Sequence, residues 1–162
     1  MGCGKTTFGK RLANKLAYNF IDLDKVIEEN AGISIPEFFK QFGEEAFRRK
    51  ESEIIKTTAF PENSIIATGG GAPCFFDNMD WMNANGTTVY ISLTPKALAS
   101  RLESATEERP VLQGKKGEEL EAFIAGKLAE REPFYSKAAI IAEGINISAE
   151  SFLPKLEEYQ RR

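Results

Sequence analysis

Gly4-Lys5-Thr6, at the head of the chain, narrows the possible folds more than any other stretch. It closes the pattern G-x-x-x-x-G-K-[ST], a glycine-rich loop that cradles phosphates. Small residues let backbone N–H groups converge on phosphate oxygens, and the helix that follows adds its positive end. In that reading Gly2, Cys3, Gly4, Lys5, Thr6 and Thr7 form the phosphate site. Lys5 supplies a point charge for the outer phosphates, and the Thr6 hydroxyl a ligand for Mg²⁺. Such a tripeptide also occurs by chance at a helix start, so its context has to decide. Phe8, Leu12 and Leu16, with Ala13 and Ala17, recur at helical spacing directly after it. A loop running straight into an amphipathic helix is the context the pattern needs.

Counted back from Gly4, the first glycine of the pattern falls two residues before Met1, and the strand that feeds such a loop falls earlier still. That strand is usually central in a doubly wound sheet. The expectation is therefore a sequence shortened at its start, with a first, central strand missing. Its neighbours would leave buried N–H and C=O groups unpaired at about 1–3 kcal/mol each. A chain beginning at Met1 is expected to be poorly folded or nearly inactive.

Downstream, helical and extended patterns alternate. Lys5–Ala17 reads as a helix and 19–23 as a short strand. Lys25–Asn30, Ile35–Phe42 and Glu44–Thr58 read as helices, the second opened by Ser34 and Pro36. Ser64–Thr68 is a buried strand that runs into Gly69-Gly70-Gly71, and Phe75–Asn85 is helical. Thr87–Ser92 is the clearest strand, Pro95–Ser104 a helix and 106–117 a polar loop. Glu118–Arg131 is a helix that Pro133 closes, Ala138–Ala142 a last strand and Ser151–Gln160 a last helix. Strands separated by helices imply an α/β fold in three layers, a parallel sheet flanked by helices.

The 162 residues suit a single domain, 1–162, with a real core. A net charge of −3 gives no basic excess to mark nucleic acid as a partner. No apolar run approaches the ~18 residues of a membrane span, and no leader pattern is present, which reads as a cytoplasmic protein. With no histidine in the sequence, an imidazole base or histidine-bound metal is ruled out. Cys3 and Cys74 make no disulfide framework, and Cys3 reads as a tolerated small residue of the loop.

Five further groups carry chemistry. Asp22-x-Asp24 lies at the end of a strand, where α/β proteins place ligands. The pair suits Mg²⁺-bound water and hydroxyl recognition, although Asp24 could equally just cap the next helix. Phe47-Arg48-Arg49-Lys50-Glu51 offers an arginine fork, although Arg48 and Glu51 could equally pair on a solvated helix face. Gly69-Gly70-Gly71 permits close backbone approach beyond what a plain turn needs. Arg109-Pro110 and Arg131-x-Pro133-Phe134-Tyr135, taken singly, are surface arginines.

In this order, G-K-T-T, D-x-D, F-R-x-x-E, G-G-G, R-P-[VL]-L and R-x-P-[FL]-Y, the set resembles the shikimate kinases from Gly2 to Tyr135. The resemblance implies a P-loop kinase fold with five parallel strands. It implies transfer of the ATP γ-phosphoryl group to the 3-hydroxyl of shikimate, giving shikimate 3-phosphate and ADP on the route to aromatic amino acids. Arg48 and Arg131 would grip the substrate carboxylate, with Glu51 holding Arg48. Asp24 would hold ring hydroxyls and take the proton, and Asp22 would act through Mg²⁺-bound water. Gly69, Gly70 and Gly71 would leave room for the ring, and Phe39, in a shikimate-binding segment of about 24–60, would pack on it. Arg109, in a lid at 106–117, would meet the γ-phosphate. Lys5, Asp24 and Arg109 would be the catalytic groups, with ATP and Mg²⁺ as cofactors and a monomer as the working form. Two other readings stand beside it: a kinase of another polyhydroxy acid such as gluconate, and a shortened remnant that only binds nucleotide or is inactive.

Overall fold

The computed structural model describes residues 2–104, 114–144 and 147–161. They form two compact units, residues 6–87 and residues 2–5 with 88–161. Each unit is built on a parallel strand pair whose strands are joined through helices.

In residues 6–87, β1 (Asn19–Asp22) pairs in parallel with β2 (Ser64–Ala67), in a register that sets Phe20 beside Ile65 and Asp22 beside Ala67. Helix α1 (Lys5–Leu16) lies directly on this pair because Gly9 has no side chain. A Cβ there would stand 2.7 Å from the Phe20 ring. Helix α2 (Leu23–Ala31) follows β1 without a loop and stops at Gly32, which takes φ 72° and returns its N–H to the Glu28 carbonyl. Helix α3 (Ile35–Thr57) starts at Ser34, whose hydroxyl accepts from the Glu37 N–H, with Pro36 in its first turn. Gly43, at φ 81° and ψ 174°, breaks the helical path there, between the two helical stretches read from the sequence. Leu23, Ile27, Phe47, Ile54, Ile55 and Ala72 make the core of this unit. A 3₁₀ turn, Ala72–Cys74, and α4 (Asn78–Asn85) complete it.

In the other unit, β3 (Val89–Ser92) pairs in parallel with β4 (Ile140–Glu143). Thr94 caps α5 (Pro95–Glu103) by accepting from the Ala97 N–H. Helix α6 (Gly117–Tyr135) and α7 (Ala149–Gln160) follow, the latter opened by a reciprocal Ser148–Ser151 box. Leu93, Leu98, Ala99, Leu102, Leu120 and Ile124 are its core.

Three local expectations change. The residue that caps α2 is Asp22, whose Oδ1 accepts from the Asp24 N–H at 3.1 Å. Asp24 lies in the first helical turn instead. Pro133 does not close α6, because its missing N–H removes one bond and the ladder resumes with the Ser136 N–H on the Glu132 carbonyl. Residues 75–77, read as helical, lie between the 3₁₀ turn and α4. The four strands pair two by two, and a fifth is not seen among the described residues.

Candidate active site

The phosphate loop takes its shape from two glycines with positive φ, Gly2 at 64° and Gly4 at 84°. A Cβ on Gly2 would also stand 2.9 Å from Leu102, a buried residue of α5. Cys3 packs against that same core, in keeping with a small loop residue. Lys5 Nζ lies 3.9 Å from Cys3 Sγ. Thr6 and Thr7 are exposed in the first turn of α1, which carries no acidic residue to oppose the positive helix end. Arg101, on α5, donates from Nη1 to the Cys3 carbonyl at 3.1 Å. A Cβ on Gly4 would come within 3.4 Å of the same guanidinium nitrogen. Sequence reading passed over Arg101, a single arginine in an amphipathic helix, because nothing local links it to a loop 98 positions away.

The second group gathers within residues 6–87. Arg48 is held on α3 by Glu51, with Nη1 to Oε2 at 2.9 Å, and by Glu44, with Nη2 to Oε1 at 3.2 Å. Its guanidinium lies over the Phe75 ring at 4.4 Å and near the Phe47 ring at 5.3 Å. Arg48 is 13% exposed and Glu51 1%, whereas the neighbouring pair Arg49–Glu45 is 69% and 80% exposed. The solvated helix face considered from the sequence therefore exists, but it belongs to Arg49 and not to Arg48.

The glycine turn presses into this charged group. A Cβ on Gly69 would lie 3.2 Å from both Asp24 Oδ1 and Glu51 Oε1. One on Gly71 would lie 2.6 Å from Arg48 Nη1 and Nη2. Asp24, Arg48, Glu51, Gly69 and Gly71 are thus brought together, and Gly70 links the two glycines. The Phe39 ring lies 4.5 Å from that of Phe47 and packs on the same core. Phe75 and Glu44, which complete the setting of Arg48, had no sequence signal beyond being ordinary neighbours.

Arg131 is half-buried on α6, its Nη1 3.5 Å from the Tyr135 hydroxyl. The Tyr135 ring packs at a tilt, 4.9 Å between centroids, against Tyr90, a phenol whose pKa burial raises above 10.0. Arg109 lies outside the described residues, as does most of the 106–117 segment. A separate hollow of about 300 Å³ beside β4 and α7, lined by Glu143, Ser151, Phe152 and Lys155 among others, holds none of the sequence-predicted residues. Among the described residues no group of three or more Cys, Asp or Glu side chains could hold a metal ion, and no helix is long and apolar enough to cross a membrane.

The chain matches the family model described as shikimate kinase over residues 1–158. It is 50% identical over 151 residues to a shikimate kinase of Parabacteroides distasonis, covering 93% of this chain and 87% of that protein. The structure superimposes on the crystal structure of shikimate kinase from Bacteroides thetaiotaomicron with a TM-score of 0.89, at 43% identity, covering 100% of this chain and 94% of that one. Acinetobacter baumannii shikimate kinase in complex with shikimate gives a TM-score of 0.82 at 30% identity, covering 99% of this chain and 88% of that one.

Proposed function

The chain belongs to the shikimate kinase family, and from that premise we propose how its residues carry out the reaction. It is an ATP-dependent kinase that phosphorylates shikimate. The reading places the transfer on the 3-hydroxyl, giving shikimate 3-phosphate and ADP in the cytoplasm. The working form is a monomer, with residues 1–162 as one kinase domain.

The loop backbone and Lys5 hold the outer phosphates of ATP, and the helix end of α1 adds its field. Arg101, fastened to the Cys3 carbonyl, supports the loop and adds positive charge beside it. The Thr6 hydroxyl and Asp22 are the side chains that fit Mg²⁺, Thr6 directly and Asp22 through water. Such a thin donor set suits an ion that takes most of its remaining ligands from phosphate and water. Bound there, Mg²⁺ would neutralise charge on the β- and γ-phosphates. Asp22 has one oxygen on the α2 cap, so a water contact would use the other.

Arg48 offers its fork to the substrate carboxylate, and the resemblance assigns Arg131 to the same carboxylate. Glu51 and Glu44 hold the Arg48 guanidinium in one orientation before substrate arrives. Asp24, next to Gly69, orients the reacting hydroxyl. The hydroxyl oxygen bonds to the γ-phosphorus, the bond to the β-bridging oxygen breaks, ADP leaves and the proton passes to Asp24. The loose transition state asks little of this base, so a carboxylate suffices. Arg109 is assigned to the charge that spreads over the transferred group, and closure of its segment to keeping water out.

The observation that carries the substrate reading is Arg48, largely buried, braced by Glu51 and Glu44 and facing Gly71, which adds no side chain over its guanidinium. A neutral sugar has no use for it. Coupled measurement of ADP release tests this. Shikimate should stimulate release, while gluconate and AMP should give no more than buffer. Equal stimulation by gluconate or AMP would overturn the assignment.

A further inference from the structure

Asn78 is fully buried at the first turn of α4, and both ends of its amide are used. Its Oδ1 accepts from the Ser52 hydroxyl at 2.6 Å, and its Nδ2 donates to the Ala72 carbonyl at 2.9 Å. Ser52 is likewise buried, on α3 one turn beyond Arg48 and directly after Glu51. Ala72 is buried and directly follows Gly71, where a Cβ would strike the Arg48 guanidinium. The amide therefore spans from the helix that carries Arg48 to the turn that Arg48 faces. Local bonds shape the turn itself: the Ala72 N–H meets the Gly69 carbonyl, and the Cys74 N–H the Gly71 carbonyl. Those bonds set its form but not its distance from α3.

We propose that Asn78, with Ser52, is a positioning pair for acid recognition, fixing the Gly69–Gly71 turn against Arg48 and Glu51. The inference rests on the shikimate kinase reading and deepens it. Neither residue touches the substrate. A buried amide bonded at both ends has one orientation that satisfies it, so the turn has one seat. If the amide loses one bond, the turn relaxes, and the space that Gly71 leaves for the guanidinium changes by tenths of an ångström. The bidentate geometry of a carboxylate on Arg48 is sensitive to shifts of that size. The phosphate loop is built from other residues and is unaffected.

The test is steady-state kinetics with thermal unfolding on N78D, S52A and S52T. N78D keeps the shape and can accept from Ser52 but cannot donate to the Ala72 carbonyl. S52A removes the other bond, and S52T retains a hydroxyl. We expect N78D and S52A to raise the KM for shikimate about tenfold, the scale of one weakened charge-assisted contact. Turnover number and the KM for Mg-ATP should stay within twofold of the parent, and S52T should behave like the parent. An unchanged shikimate KM, with only a lower unfolding temperature, would make the pair purely structural and overturn the proposal. Equal changes in both KM values would also overturn it. If N78D does not fold, S52A against S52T decides by the same criteria. A parent chain with no shikimate-dependent ADP release would instead sink the kinase reading, and this inference with it.

Discussion

Gly71 stands where a side chain would collide with Arg48: a Cβ there would be 2.6 Å from both terminal guanidinium nitrogens. The Arg48 head is fixed between Phe75, Glu51 and Glu44, so it cannot step aside freely. Gly71→Ala should therefore push the fork out of line, with a stability loss of about 1–3 kcal/mol for the overpacking. Its φ of −86° suits alanine, so backbone strain plays no part. The KM for shikimate should rise about tenfold. Gly69→Ala, whose Cβ would meet carboxylate oxygens at 3.2 Å, should do the same more mildly. Kinetics on both variants would check the order.

Arg48→Ala and Arg131→Ala should both weaken shikimate binding, by about 1.5–3 kcal/mol, or roughly ten- to a hundred-fold. Their stabilities should differ. Removing Arg48 takes away its ion pair with Glu51, which is 1% exposed. Breaking a buried pair this way costs about 3–5 kcal/mol, with the low end apt because Arg48 keeps 13% exposure. Arg131, half-buried beside a tyrosine hydroxyl, should cost much less. Unchanged shikimate affinity in both variants would make them ordinary charges.

Lys5→Ala and Arg109→Ala should lower turnover more than shikimate affinity, because both groups are assigned to charge that moves in the transition state. Arg101→Ala should raise the KM for ATP, since its guanidinium is bonded to the loop carbonyl of Cys3. A normal ATP KM in that variant would confine Arg101 to packing.

Lys56 on α3 bonds Asp77 just ahead of α4 and holds the Asp77 carboxyl below its usual 3.8. A lowered folded pKa stabilises above the unfolded value and loses that effect as pH falls through the folded one. Asp77 is 68% exposed, so solvent screening keeps the effect small. The gap in unfolding temperature between the parent and Lys56→Met should be present at pH 7 and should close below pH 3.8. A gap that persists in acid would assign it to packing of the lysine stem.

Much of this protein is written locally. Apolar runs mark the strands, Ser34 with Pro36 starts α3, and Gly4-Lys5-Thr6 announces a phosphate loop opening a helix. Such features depend on residues within a turn or two, where spacing and side-chain chemistry suffice. The motif series also carried the family, because the order of six short patterns survives any folding detail. Two adjacent arginines, however, look alike in sequence, and only packing made Arg48 largely buried and Arg49 a surface charge. Two aspartates at a strand end look alike, and only the backbone path made Asp22 the cap and turned Asp24 toward Gly69. Arg101 meets Cys3 across 98 positions and Ser52 meets Asn78 across 26. Contacts of that range form only once the chain has closed its loops and buried its core. The residues that aim the chemistry are therefore decided by the tertiary structure, while those that name it stand in the sequence.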